Sequence, residues 1–433
     1  MMAQNRGMGG RSLYSSEPAE PFFAETRAMP VPGSPDSLQI FLLFRIQYTA
    51  LHFQNAPSGD VRGTLCAFPV LQIECRDSNG VIRNRSEWKD TVFARNYEQS
   101  KSKKEFSWGM MVISLLKGTY SLNVQMSEKN GQFIGKVKLP ACSLPTNGVI
   151  QPYFTESKGI SIFVPSIMNG SVPFSKGSLR AVFPIIAKVK NGAEFILRRV
   201  AQGEFASGWN VKNQVAGKVN IIPDAAITYN KMDLRRALPD LRLESDTARG
   251  LMLGEIVFPE DAFAPGQYIL EILLKNKEKT DTNRFEFACE WENIPLSLSY
   301  LRFAVESMQY ILTDEEFDKI NSGSDPEKRA AMLQWWNKKD PTPSTPYNEA
   351  MAEYYRRVDQ CFLTFQTILE QDGTKTERGK IAILHGFPQK VEKNILPGNI
   401  LQEIWIYSAV IKKKFIFEQP SGGVFKLKKI ETL

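Results

Sequence analysis

The sequence predicts a multidomain protein in which two all-β sandwich modules are followed by an α+β domain, and three observations predict it. A Gly-x-Tyr-x-Leu pattern occurs twice, and the same 148 residues separate Gly118 from Gly266, Tyr120 from Tyr268 and Leu122 from Leu270. Each copy closes a block of short β-type runs divided by turn residues. Past Trp291 the apolar period changes from two to about 3.6, beginning near Leu301, and strands return after Gly373.

A chain of 433 residues exceeds what one hydrophobic core usually supports, so the length agrees with a division into several domains. The expected boundaries are a flexible arm over 1–37, sandwich modules over 38–150 and 151–296, and the α+β domain over 297–433. Gly, Pro and Ser crowd the arm, as in PVPGSPDS. In the first module, SLQIFLLFRIQY, AFPVLQIECR and FSWGMMVISL carry the β-branched and aromatic residues of half-buried strands. Asp77 to Gly80 (DSNG) and Lys129-Asn130-Gly131 supply hairpin turns, because Asn and Gly tolerate positive φ.

The repeated motif has a physical reading. A Gly-permitted turn leads into a strand whose Tyr can bond backbone at the corner of a sandwich, while the residue two places on faces the core. Immunoglobulin-like sandwiches use such a tyrosine corner. Here Leu122 and Leu270 take the core-facing place, so no inter-sheet disulfide is implied.

In the third domain, Thr313 with Glu316 has capping-box spacing, and Asp325-Pro326 starts a helix carrying Met332, Leu333, Trp335 and Trp336. Thr345-Pro346 is expected to open another helix, with an apolar stripe of Met351, Tyr355, Val358, Phe362, Phe365 and Leu369. KIAILHG, QEIWIYSAV, KKFIFEQ and VFKLKKI then read as strands of a small antiparallel sheet.

Composition excludes several classes of function. No run approaches the roughly 18 to 20 apolar residues of a membrane span, and the most apolar stretch is broken by Arg45. The net charge of +7 is spread along the chain, which argues for solubility and against nucleic acid as a partner. The opening MMAQNRGMGG lacks the apolar core of a secretory signal. Five cysteines without a CxxC pattern predict buried free thiols, with a Cys66 to Cys75 bridge as the alternative. Only His52 and His385 are available to a triad or metal cage, so no catalytic residue, metal site or cofactor is assigned.

Gly373-Thr-Lys-Thr-Glu-Arg-Gly379-Lys380 resembles a phosphate loop but has five residues between its glycines, and Ile381 stands where a hydroxyl is needed. The same segment carries a family resemblance. WW at 335–336, DPTPSTPYNEA from Asp340, EYYRRV from Glu353, DGTKTERGKIAILHGFP from Asp372 and EIWIY from Glu403 follow one another in an order that resembles the bacterial GWxTD-domain family. The resemblance implies a helix ending in Arg-Val, then Gly-Trp-x-Thr-Asp-Arg-Gly, a strand ending in Gly-x-Pro, and a Trp-Tyr strand. Gly373, Thr376, Arg378 and Gly379 keep that pattern, whereas Thr374 stands in place of the Trp and Glu377 in place of the Asp.

The family is β-rich ahead of this domain and commonly exported, which implies a periplasmic, extracellular or envelope-associated location. It carries over no catalytic residue. Arg356, Arg357, Glu377 and Arg378 could form a charged cluster if the helix packs beside the turn, either to lock it to the sheet or to hold an anion. Trp405 and Tyr407 share one strand face and read as core or as a stacking platform. The candidate binding or motif residues are therefore Arg356, Arg357, Gly373, Thr376, Glu377, Arg378, Gly379 and Trp405. The function expected is a non-enzymatic binding or assembly role in the bacterial cell envelope, with an unspecified protein partner or small ligand. The alternative is a carboxylate-based hydrolase acting on an envelope or carbohydrate substrate, using Glu377 with Glu349 or Glu353.

Overall fold

A computed structural model describes residues 22–31, 34–145, 148–157, 162–168, 170–174, 179–186, 189, 192–200, 209, 211–229, 241–245, 252–276, 280–292, 294–409, 411–421 and 423–433. The protein is mostly β, with several sheets and a helical C-terminal region. Pro18–Gln202 and Val211–Glu292 make one compact unit, and a second is built on Asn293–Leu433. Both β modules expected from the sequence thus fall within the first unit.

That unit begins earlier than expected. The arm expected over 1–37 is not an arm in its second half, because Phe22–Val31 and Ser34–Gln47 form an antiparallel hairpin extended by Phe106–Leu116. Residues 1–21 of that expectation lie outside the described residues. The Gly and Pro signals that suggested an arm surround a strand, FFAETRAMPV, whose Phe22, Ala24 and Ala28 are buried.

A second sheet, ordered Phe133–Cys142, Tyr120–Glu128, Pro69–Asp77 and Ile82–Lys89, shares one core with the first. Alternation along Ser34–Gln47 sends Leu38, Ile40, Leu42, Phe44 and Ile46 into that core. Its opposite face is covered too. Leu43, with Phe23, Trp108 and Met110, packs against Tyr153, Val182 and Leu253 of the second β module. A strand buried on both faces reads as a continuous apolar run, which explains LQIFLLF. The Arg45 that interrupts the run is buried, pairs with Glu292 at 2.7 Å, and stacks on Phe23 and Phe106 at 4.3 Å each. Burial of this shared face is why the two modules form one unit.

In the second module, Gln214–Ile222 pairs with Ala193–Val200 through its first part and with Met252–Val257 through its last. One strand therefore joins two halves of the sheet system, and an aromatic core fills the space, with Phe154 to Phe287 at 4.4 Å and Phe263 to Tyr268 at 5.3 Å. Both repeated tyrosines reach back four residues. Tyr120 donates to the Leu116 carbonyl at 2.8 Å and Tyr268 to the Ala264 carbonyl at 3.0 Å, while Leu122 and Leu270 are wholly buried. The DSNG and KNG turns close hairpins with Gly80 and Gly131 at positive φ.

In the second unit, Asp314–Asn321 and Asp325–Asn337 each start with a capping box, on Thr313 and Ser324. The next helix is Glu349–Thr364, capped by Asn348 and not at Thr345-Pro346. Asn348 accepts from the Met351 amide at 2.8 Å and donates to the Trp336 carbonyl at 2.7 Å, so one side chain fixes the helix start to the helix before it. Tyr355 is fully buried beside Trp336 and donates to the Ala304 carbonyl at 3.0 Å. The expected stripe holds from Met351 to Phe365, but Leu369 lies beyond the helix and is 69% exposed. Lys390–Leu396, Ile400–Tyr407, Lys413–Gln419 and Lys426–Thr432 complete the unit as a four-stranded antiparallel meander. The first of these strands was not anticipated.

All five cysteines are buried and free, so the alternative Cys66 to Cys75 bridge is absent. Among the described residues, no helix is long and apolar enough to cross a membrane, and no group of three or more His, Cys, Asp or Glu is arranged to hold a metal.

Candidate functional site

The motif segment folds as a tight joint between two helices. Cys361 and Phe362 end the apolar face of Glu349–Thr364, and Gly373 lies so close beneath them that a Cβ there would be 2.2 Å from the Cys361 carbonyl oxygen. Gly379 presses on the joint from the other side, where a Cβ would be 2.1 Å from the Gly373 carbonyl oxygen. Neither glycine can carry a side chain without displacing backbone. Burial against this joint pushes the Cys361 thiol up to about 12.

Thr376 caps the helix that leaves the joint. Its hydroxyl accepts from the Gly379 amide at 3.0 Å and donates to the Gly373 carbonyl at 2.8 Å, and Glu377–His385 is an α-helix. The strand expected at KIAILHG is therefore a helix. A short run such as Ile381-Ala-Ile-Leu cannot be assigned by periodicity alone, and the threonine cap with an acidic first turn decides it. Gly386, at φ +77°, ends the helix. The segment thus runs into a helix as a phosphate loop would, but its spacing and Ile381 still depart from that pattern.

Thr374, at the place of the family's Trp, is buried. Its amide and hydroxyl both bond Asp372 Oδ1, at 3.0 and 2.5 Å, and its carbonyl accepts from the Tyr310 hydroxyl at 2.8 Å. Asp372 and Tyr310 were not singled out in the sequence.

The expected charged cluster divides into three parts. Arg356 and Arg357 both bind Glu353 of their own helix, at 3.0 and 2.9 Å. Glu377 accepts from the Leu427 amide and faces Lys426 at 3.8 Å, which fastens the helix to the last strand. Arg378 pairs with Glu403 at 3.1 Å while its guanidinium lies over Phe425 at 4.1 Å and Phe365 at 5.0 Å. Glu403 also accepts from Trp405 Nε1 at 3.2 Å. Trp405 itself is 3% exposed and packs on Phe365 and Phe417, so it is core and cannot serve as a stacking platform.

Glu403, Phe365 and Phe425 were missed as partners of Arg378, since contacts so far apart in sequence, 25 residues in the case of Glu403, leave no local signal. Of the carboxylates considered for acid–base work, Glu349 accepts from the Thr342 hydroxyl at 2.5 Å, Glu353 holds two arginines, and Glu377 holds a backbone amide. The arrangement joins helices to a sheet through one aromatic-sandwiched ion pair and a set of caps.

Known proteins add one firm relation. No curated protein sequence matches the chain. A purple acid phosphatase from yellow lupin seeds is 9% identical, covering 63% of this chain at a TM-score of 0.18, and this chain spans 42% of the phosphatase. A serine-rich repeat protein from Streptococcus agalactiae is also 9% identical, covering 60% of this chain and 88% of its own, at 0.19. Residues 272–428 match the GWxTD domain, a span that contains the joint, the Arg378–Glu403 pair and the first three strands of the last sheet. The C-terminal part of this chain is a GWxTD domain.

Proposed function

We propose that the protein is a non-enzymatic binding or assembly protein of the bacterial cell envelope, built from immunoglobulin-like sandwich modules that carry a GWxTD domain. The observation that carries this reading is the consumption of the motif's polar groups in holding the domain together. A glycosidase-type hydrolase needs two carboxylates about 5 to 10 Å apart that face a substrate. Glu349, Glu353 and Glu377 are instead bonded to a hydroxyl, to two arginines and to a backbone amide.

The sandwich part of the reading is supported by two sheets around one core and by the paired tyrosine corners. The envelope part is supported by the GWxTD resemblance.

In-cell cross-linking, with fractionation and identification of the captured proteins, tests the proposal. The reading expects a discrete partner set in the envelope fraction, unchanged by Glu377→Gln. Turnover of a glycoside or envelope polymer that Glu377→Gln abolishes in a folded chain would establish the hydrolase instead.

A further inference from the structure

Two aliphatic residues stand at the tip of a tight turn, where solvation and turn chemistry both argue against them. After the helix Glu349–Thr364 the chain bends at Ile368 and Leu369. The turn is closed at its base, because Thr367 donates its amide to the Glu370 carbonyl at 2.8 Å and the Glu370 amide donates to the Thr367 hydroxyl at 2.9 Å. Gly, Asn, Asp, Ser and Pro dominate such tips. Here Ile368 is 99% exposed and Leu369 is more than half exposed.

The turn is held from both sides. Phe365 before it is buried against Trp405 and Phe387, and Gly373 after it lies close under the Cys361 carbonyl. The tip is therefore a fixed projection, and more apolar surface gathers at its root. Leu363, in the last turn of the helix, is more than half exposed. Asp359, one turn earlier on the same face, accepts from the Leu296 and Ser297 amides, which sets Leu296 about one helical turn from Leu363. Phe303 meets Phe362 at 5.6 Å and brings Tyr300 to the same end of the helix. Leu296 and Tyr300 are also more than half exposed. A concentration of exposed apolar side chains marks an interaction site.

The chemistry of the tip selects its occupant. The projection is convex and aliphatic, without the Trp, Tyr or Arg that anchors protein hot spots. At its margin stands Tyr300, whose apolar ring and polar end suit a membrane–water boundary. The amides and hydroxyl at the base of the turn are already bonded, so entry into an apolar phase strands few polar groups. Neighbouring carboxylates are turned onto backbone, Glu370 accepting from the Asp372 amide at 3.1 Å and Asp372 from the Thr374 amide at 3.0 Å. The exposed cations Arg302 and Lys375 each have an acidic neighbour, Glu306 at 2.6 Å and Asp372 at 3.7 Å. No net positive field calls for anionic headgroups.

From this arrangement we infer that the turn at Ile368 and Leu369 is a lipid-inserting tip, which seats the C-terminal domain at the headgroup boundary of a zwitterionic bilayer. Ile368, Leu369 and Leu363 together carry about a dozen side-chain carbons, close to one myristoyl chain, which alone gives reversible binding of about 10⁴ M⁻¹. Attachment is therefore weak and peripheral. The inference rests on the envelope part of the proposed function and names the surface by which the chain meets the envelope.

Flotation of the full-length chain with vesicles of phosphatidylcholine and phosphatidylethanolamine, at about 10⁻³ M lipid, tests it. Most of the wild type is expected to float, equally at low and high salt and with no gain from added phosphatidylglycerol. Ile368→Ser with Leu369→Ser should lower the ratio of bound to free protein at least about tenfold, and circular dichroism checks that the variant remains folded. Val61→Ser, at an equally exposed position in the first β module, should leave that ratio unchanged.

A wild type that does not float at about 10⁻² M lipid overturns the inference. So does flotation indifferent to the tip variant, or flotation that needs phosphatidylglycerol and is lost in salt. If the chain does not float but the tip variant alters the cross-linked partner set, the tip docks on protein and the lipid inference falls. Absence of vesicle binding leaves the assembly reading standing while cross-linking still captures a discrete partner set, so the two fail separately.

Discussion

Gly379 sits against the carbonyl of Gly373 at a separation that leaves no room for a Cβ, which would lie 2.1 Å from the oxygen. The two glycines that frame the family motif are thus in contact with each other, and the residues between them form the turn that makes this possible. Thr376 bonds both, accepting from one amide and donating to the other carbonyl. The motif is a close-packed joint, and Thr374, Thr376, Glu377 and Arg378 bond within the domain while Lys375 is exposed.

Thr376→Val should remove the helix cap while keeping nearly the same volume. Loss of the cap is expected to cost about 1 kcal/mol, and loss of the second bond to Gly373 adds to it. Urea denaturation monitored by circular dichroism measures this, and Thr376→Ser should recover most of the loss.

Arg378→Leu is expected to destabilise more than Arg378→Leu combined with Glu403→Leu. The single change leaves the 11% exposed Glu403 carboxylate with only Trp405 Nε1 and, at 3.5 Å, Lys393 to balance it, whereas the double change removes both charges of the pair. The cost of the single change should fall between the ~1 kcal/mol of a surface pair and the ~3 to 5 kcal/mol of a buried pair broken on one side. A double-mutant cycle reads the coupling directly.

Tyr268→Phe should be more damaging than Tyr120→Phe. The Tyr268 hydroxyl donates to the Ala264 carbonyl and also accepts from the Ala264 amide at 2.8 Å, so its removal leaves two buried backbone groups without that partner. Tyr120 makes one such bond. About 1 kcal/mol is expected for the single bond and more for the pair, measured as shifts in denaturation midpoint.

Asp359 supplies a pH test. Its carboxylate accepts from the Leu296 and Ser297 amides at 2.6 and 2.8 Å, and burial raises its pKa above the ordinary value despite those bonds. The folded state therefore holds the proton more tightly than the unfolded state. Its contribution to stability is largest below the unfolded value and declines as pH rises through the raised one. Asp359→Asn cannot titrate, so the difference in stability between wild type and variant should fall as pH rises from about 4 toward neutrality. A flat difference would contradict the burial argument.

Local signals made much of the architecture legible. The tyrosine corners were readable because both the motif and its hydrogen bond lie within four residues, and the Thr313 cap because its reciprocal bonds span three. Lys390–Leu396 was missed because an edge strand exposed to solvent carries KVEKNIL, with no apolar alternation to read. Phe22–Val31 was lost among neighbouring glycines and prolines. In the site, Gly373, Thr376 and Gly379 were found by pattern, but the pattern could not say that they touch. The grouping of Arg378 with Glu403 and Phe425, and the separation of Arg356 and Arg357 from them, depend on how the last sheet packs under the helix, which no local spacing encodes.

The most direct measurement is the thermal midpoint of Gly379→Ala beside its partner capture in cells. If the motif is a packing joint, an added methyl must displace the Gly373 carbonyl, and overpacking of about 1 to 3 kcal/mol should lower the midpoint of the C-terminal unit by roughly 5 °C, with capture falling only as folded protein is lost. A variant with an unchanged midpoint that nonetheless loses its partners would contradict the joint and restore the motif as a binding site.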